Sequence, residues 1–238
     1  MKNKRTILIV LLLTIGTLLL TGCASGPYQS REEDVSGFDR IQIETFGEFL
    51  IEQGEDESLS IEAPRDYLRY VEVKVESGTL IIGTRRGYFG PPVRRATFTI
   101  TVKDLEEISL SGAGAIKIYG LDTKDMYINL TGAGSIEIDD LQAENLGVNL
   151  SSAGAVIVAG SVEKQEVNLS GVGSYEAGDL QTDETRIILS GAGSAILWVE
   201  EDLDVKISGV GSVAYYGDNP EVHQQITGLG SVNSRGER

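Results

Sequence analysis

Residues 111–118 read SGAGAIKI, and nearly the same eight residues return at 131–138 as TGAGSIEI. The pattern behind them, Ser or Thr followed by Gly-X-Gly, occurs seven times if one copy that lacks its first glycine is counted. The copies begin at Ser111, Thr131, Ser151, Ser170, Ser190, Ser208 and Thr227, at intervals of 18–20 residues. Thirteen of the 29 glycines lie in these copies, so the high glycine content belongs to the motif. A fixed period of this length identifies a repeat protein.

Apolar residues recur at five fixed offsets around each motif. In the first copy they are Ile108, Leu110, Ala113, Ile116 and Ile118. Steps of two residues indicate a strand with one buried face, and the two steps of three, each at a glycine, indicate corners of the chain. We therefore expect all five positions to face the core.

A repeat of this length predicts short strands rather than helices, because an average helix of about 10–14 residues would leave too little chain for the strands and corners. Equivalent residues of successive repeats would then stack about 4.8 Å apart, as neighbouring strands do. The sequence predicts an all-β protein, a right-handed, single-stranded β-helix (β-solenoid) with repeats of about 18–20 residues. A short ladder of amides is expected on its surface from Asn129, Asn149 and Asn168.

The region before the motif also alternates between apolar and polar residues. Val71, Val73 and Val75 are separated by charged residues, for example. Alternation of this kind predicts strands. We interpret 35–105 as the N-terminal β region of the solenoid and 106–238 as the repeat part of the same solenoid.

The first 22 residues are typical of a secretion signal. Three basic residues are followed by an apolar stretch over 7–20, which is shorter than the roughly 20 residues of a membrane span. The stretch ends in LTGC at 20–23, which resembles the bacterial lipobox and contains the single cysteine of the chain. The resemblance implies a lipoprotein signal peptide over 1–22 that is removed before Cys23.

The same resemblance makes Cys23 the lipid anchor, because acyl chains on this cysteine would hold the protein on a bilayer. Residue 24 is alanine rather than aspartate, which favours the outer membrane by the sorting rule of Gram-negative lipoproteins. The polar segment 23–34 is interpreted as a tether.

Charge and composition exclude several functions. The chain of 238 residues has 36 acidic and 20 basic residues, a formal charge of −16. Nucleic acid repels such a polyanion, so nucleic-acid binding is excluded. The chain has one cysteine and one histidine. A single cysteine excludes a disulfide framework and a multi-cysteine metal site. We predict no catalytic residues, no cofactor and no metal.

One segment departs from the acidic background. Residues 85–95 read RRGYFGPPVRR, with four arginines and two aromatic residues around a turn rich in glycine and proline. Arginine and aromatic side chains are enriched where proteins bind partners, so we predict a partner-binding loop. Its candidate residues are Arg85, Arg86, Tyr88, Phe89, Arg94 and Arg95. The alternative is a hairpin turn whose arginines pair with nearby acids.

Nearly the whole mature chain resembles the bacterial head GIN domain family, which is named as an auto-transporter adhesin. The resemblance rests on GFDRI at 37–41, on IEQG at 51–54 and on the run 71–80, and it covers roughly residues 36–235. It implies a β-helical fold and a place in the cell envelope. It implies no catalytic residues.

These observations favour a non-catalytic envelope lipoprotein that acts as a binding or adhesion module, with a glycan or an envelope protein as its partner. Self-association is left open. One alternative is a polysaccharide-active β-helix enzyme that uses a pair of carboxylates, Asp140 with Asp179 or Glu137 with Glu176. The other is a purely structural or envelope-stress protein.

Overall fold

The computed structural model describes residues 27–85 and 96–238, and strands form most of this part of the chain. The N-terminal part contains β1 (Tyr28–Glu33), β2 (Arg40–Ile43), β3 (Phe46–Gln53), β4 (Ser58–Pro64), the short helix α1 (Arg65–Leu68), β5 (Val71–Glu76), β6 (Thr79–Thr84) and β7 (Thr97–Val102). The repeat part contains β8 (Glu107–Leu110), β9 (Ala113–Ile118), β10 (Leu121–Asp122), β11 (Asp125–Leu130), β12 (Ala133–Leu150), β13 (Ala153–Leu169), β14 (Val172–Leu189), β15 (Ala192–Ile207), β16 (Val210–Tyr216), β17 (Glu221–Ile226) and β18 (Leu229–Ser234).

The repeats stack as parallel coils, which confirms the predicted β-solenoid. Ala133 is the register partner of Ala113 on one side and of Ala153 on the other. The same parallel pairing of equivalent positions continues from β13 to β18. Each repeat of the sequence is therefore one coil of the structure.

Four of the five predicted apolar positions form the core. In the second repeat Ile128, Leu130, Ile136 and Ile138 are all at most 1% exposed. The corresponding residues of the neighbouring coils are buried as well. Steps of two residues in the sequence were therefore sufficient to locate the inward face of each strand.

The fifth position, the residue between the two glycines of the motif, was predicted wrongly. Its side chains point to solvent, and Val172, Val210 and Leu229 are 66%, 55% and 79% exposed. They cannot point inward because the corner packs through its backbone against the preceding coil. The residues at this position in successive coils, which we call a column, form an apolar stripe on the surface instead.

The motif glycines are explained by this backbone contact, although the third copy has Ser152 in place of its first glycine. A Cβ atom on Gly132 would lie 2.0 Å from the carbonyl oxygen of Gly112, and one on Gly134 would lie 1.8 Å from that of Gly114. Real Cβ atoms do not approach backbone oxygens so closely, so only glycine fits. The glycines stack in two rows, which we call the glycine spine: Gly112, Gly132, Gly171, Gly191, Gly209 and Gly228, and Gly114, Gly134, Gly154, Gly173, Gly193, Gly211 and Gly230.

The coils of the N-terminal part do not follow the order of the chain. β2 pairs in parallel with both β6 and β8, and β3 pairs in parallel with both β7 and β9. The coil formed by residues 40–53 thus lies between the later segments 79–102 and 107–118. Outside it, β5 pairs antiparallel with β6, and β4 pairs antiparallel with β7 and β1. These antiparallel strands end the solenoid on this side.

Part of the segment expected to be a tether, 23–34, is a strand. Tyr28–Glu33 pairs with β4, and the guanidinium of Arg31 donates hydrogen bonds to the carbonyl oxygens of Leu68 (2.6 Å) and Val71 (3.2 Å). The expectation was wrong for these six residues. A polar sequence carries no alternation signal, yet it can satisfy the otherwise unpaired edge of β4.

A small polar network lies inside the coils of β13 and β14. The hydroxyl of Tyr175 donates to the side-chain carbonyl of Gln165 (2.8 Å), whose amide donates to the hydroxyl of Thr185 (2.9 Å). Burial raises the pKa of the Tyr175 phenol, so the phenol keeps the proton that it donates. All three side chains are almost completely buried, and their mutual hydrogen bonds offset the loss of contact with water.

Candidate functional site

Most of the residues predicted as sites from the sequence lie outside the described residues. They are Cys23, Arg86, Tyr88, Phe89, Arg94 and Arg95. Arg85 is described, and its Nε lies 2.7 Å from the carboxylate of Glu72. This ion pair agrees with the alternative interpretation for that arginine. On the described side of this segment, β6 ends at Thr84 and β7 begins at Thr97, at the edge where the other coils have their glycine corners.

The carboxylates considered for catalysis are engaged with other side chains on the surface. Two of them form ion pairs, Glu137 with Lys117 and Asp179 with Arg238. The other two accept hydrogen bonds, Glu176 from Ser174 and Asp140 from Gln142. In the strand register Ile157 separates Glu137 from Glu176. Among residues 27–85 and 96–238, no group of three or more His, Cys, Asp and Glu residues could hold a metal ion.

An exposed tyrosine marks the surface that is best suited to bind a ligand. Tyr127 is 58% exposed and lies on β11, in the outward column four residues before the motif. Its register partners are Glu107 in the preceding coil and Gly147 in the next. We call the outward surface of β8, β11 and the following coils around it the Tyr127 face.

The glycine beside Tyr127 leaves room for the ring. A Cβ atom on Gly147 would lie only 2.6 Å from Cδ1 and 2.8 Å from Cε1 of the tyrosine. The ring therefore occupies the space that a side chain at residue 147 would fill. Any side chain there would push the ring away, so Gly147 fixes where the aromatic surface lies.

The predicted amide ladder flanks this ring. Asn129, Asn149 and Asn168 are register partners in three successive coils, and the side-chain amide of Asn149 donates to that of Asn129 (3.1 Å). Each amide carries a carbonyl acceptor and two N–H donors, so the ladder has unused groups directed at solvent. The placement of these three residues together is confirmed.

Two shallow grooves meet at Tyr127. One has a volume of about 360 Å³ and is lined by Tyr127, Glu166 and the asparagine ladder. The other has a volume of about 510 Å³ and shares Tyr127 and Glu166 with the first, continuing to Arg186. An apolar ring surrounded by a few oriented polar groups is the usual composition of a small-molecule binding site.

Sequence reasoning missed Tyr127, although a signal was present. The other residues of its column include Glu107, Glu166 and Asp204, so a tyrosine at an outward position stood out. The next residue of the column, Gly147, is a glycine outside the motif, and this was the second signal.

No helix in the part of the chain that the structure describes is long and apolar enough to span a membrane.

Comparison with known proteins gives a consistent result. Residues 37–219 match the family described as "Putative auto-transporter adhesin, head GIN domain". The structure of "a putative adhesin" from Bacteroides fragilis is similar to 87% of this chain and 97% of its own, with 26% identity and a TM-score of 0.85. A "Putative lipid binding protein" from Parabacteroides distasonis also has 26% identity, with a TM-score of 0.68 over 88% of this chain and 97% of its own. None of the curated proteins matches the chain.

Proposed function

Because the chain belongs to the head GIN domain family, we propose that it is a non-catalytic binding module of the bacterial cell envelope. The structures that resemble it are named as adhesins or as a lipid binding protein, which supports a binding role. The observation that carries the proposal is the Tyr127 face, where an exposed ring is held beside a ladder of amides on stacked parallel strands.

Carbohydrate is the ligand class that fits this face. A sugar ring presents an apolar surface that packs on an aromatic ring, and its hydroxyls both donate and accept hydrogen bonds. The asparagine ladder offers donors and acceptors in the same place, and Glu166 adds acceptors. Because equivalent groups repeat from coil to coil, an extended glycan lying along the solenoid would meet them in succession.

The first prediction tests this ligand class with a glycan array and soluble protein of residues 24–238. Tyr127→Ala is expected to weaken binding of any glycan hit at least about tenfold, because stacking on the ring is lost. Tyr119→Ala is the matched control, since Tyr119 is also an exposed tyrosine (51%) but lies on a different column. We expect the control to bind within about twofold of the parent.

Two outcomes would contradict the assignment. If the array yields no glycan, carbohydrate is not the ligand and a structural role is favoured. If Tyr127→Ala binds as well as Tyr119→Ala, the ligand contacts another surface.

The arginine-rich segment 85–95 is proposed as a second contact, for anionic partners. Arginine can hold a carboxylate or a phosphate in two parallel hydrogen bonds, and this segment is the densest cationic exception on an acidic protein.

The second prediction concerns this segment. Replacing Arg85, Arg86, Arg94 and Arg95 together with serine should lower the binding of acidic glycans and remove its salt dependence. The melting temperature should stay within about 2 °C of the parent, since exposed ion pairs contribute little to stability. If acidic glycans bind the variant as well as the parent at low salt, the segment is only a turn.

We propose further that the mature protein is anchored in the outer membrane through acylated Cys23. The support is the LTGC sequence behind a short apolar stretch and the alanine that follows it.

A further inference from the structure

A guanidinium group lies against two aromatic side chains of adjacent coils. Trp198 and Tyr216 are register partners on β15 and β16, just beyond the last core position of their coils. The guanidinium carbon of Arg238 lies 5.5 Å from the ring centroid of Trp198 and 5.4 Å from that of Tyr216. Both distances are within the range of a cation–π contact.

A carboxylate and a glycine complete the arrangement. Asp179 forms an ion pair with Arg238. Gly178 borders the space, since a Cβ atom there would lie 3.4 Å from Nη1 of Arg238 and 3.6 Å from Cε2 of Tyr216. We call the site formed by Gly178, Asp179, Trp198 and Tyr216 the aromatic cleft.

Both rings are fixed by hydrogen bonds of their own. The indole Nε1 of Trp198 donates to the carboxylate of Glu200 (2.7 Å), and Nη1 of Arg235 donates to the hydroxyl of Tyr216 (3.3 Å). Neither of these two hydrogen bonds involves Arg238.

The internal arginine can leave without disturbing the fold. It follows β18, which ends at Ser234, and its side chain is 35% exposed. Rotation of the Arg238 side chain, with Arg235 left in place, would empty the cleft.

We propose that the aromatic cleft is a binding site for the arginine side chain of a protein partner, and that Arg238 occupies it when no partner is bound. The internal occupant shows the chemistry that the site accepts: a flat cation in contact with two aromatic rings and one carboxylate. The strongly acidic chain would attract a basic partner from a distance. This inference is independent of the Tyr127 face: Tyr127 lies four residues before a motif copy, whereas Trp198 and Tyr216 each lie eight residues after the start of one.

The test uses the fluorescence of Trp198, which is the single tryptophan of the chain. Soluble residues 24–238 with Arg238→Ala are titrated with N-acetylarginine amide, and N-acetylcitrulline amide serves as the uncharged probe of the same shape. We expect a saturable change in emission with the arginine probe, an affinity at least tenfold above that of the parent, and no change with the citrulline probe. Adding Tyr216→Ala or Asp179→Asn to this variant should weaken the response at least threefold.

An equal response to both probes, or no response of Arg238→Ala to the arginine probe, would overturn the proposal. Sedimentation of the parent distinguishes one further case. If the parent is a dimer that Arg238→Ala converts to a monomer, Arg238 serves as a link to the cleft of a second copy, and the partner proposal fails. Tyr127→Ala should leave the arginine response unchanged, which separates this result from the fate of the carbohydrate proposal.

Discussion

Gly134→Val is expected to lower the free energy of unfolding by more than about 4 kcal/mol, which is beyond the range of ordinary substitutions. The reason is the position of its Cβ atom, 1.8 Å from the carbonyl oxygen of Gly114. The obstacle is backbone, so no side-chain rotation can relieve the overlap, and the two coils must move apart. The φ of +154° at Gly134 adds strain for a residue with a branched Cβ.

The measurement is urea or thermal unfolding of soluble residues 24–238. For a chain of this length each kcal/mol moves the melting temperature by about 2–4 °C, so we expect a fall of at least about 8 °C. The matched control is Ala133→Val, one residue earlier. Ala133 lies in the outward column, where Val172 and Val210 occur naturally, so its change should be within about 0.5 kcal/mol. Equal effects of the two substitutions would show that the glycine spine is not the contact that holds the coils.

If Cys23 is the anchor that we propose, Cys23→Ala is expected to abolish anchoring completely, because the sulfur that would carry the acyl chains is removed. In the native host, labelling with a palmitate analogue should disappear and the precursor with residues 1–22 should persist. Membrane fractionation is the second measurement.

Ser25→Ala is the matched control for this prediction, since it changes a neighbouring small residue and leaves the LTGC sequence intact. It should be labelled and processed like the parent. A labelled and processed product from Cys23→Ala would refute the anchor.

The repeat part of the fold could be predicted from the sequence because apolar residues occur at the same positions in each coil. Seven copies average out the exceptions, such as Gln224 at an inward offset of the last repeat. The residue between the two glycines was misread for a physical reason. Ala133 and Val172 are apolar, and apolar residues usually lie inside, but here the spine leaves no inward space for them.

The N-terminal part was readable only as strands. Alternation identifies which residues of Val71–Glu76 or Thr97–Val102 face one side, but it carries no information on which strand is the neighbour. The placement of β2 between β6 and β8 therefore could not be derived from the sequence.

The candidate sites depend on the same distinction between pattern and placement. The asparagine ladder follows directly from the repeat, whereas the value of Tyr127 depends on its contact with Gly147. The aromatic cleft could not be predicted from the sequence. Trp198 and Tyr216 share an offset, but the return of Arg238 to their coils is a feature of the folded chain.

If the protein is held at its N-terminal end, as the proposed Cys23 anchor requires, the interleaved coil of residues 40–53 has a mechanical consequence. A pulling force applied ahead of residue 28 first peels β1 from β4, one hydrogen bond at a time, starting at Tyr28. It then reaches β2 and β3, which are bonded on both sides to β6 and β8 and to β7 and β9. Extracting them requires both flanking ladders to slide at once, so the load is spread over many bonds in shear. The solenoid behind this coil would stay intact under tension that unzips its edge strand.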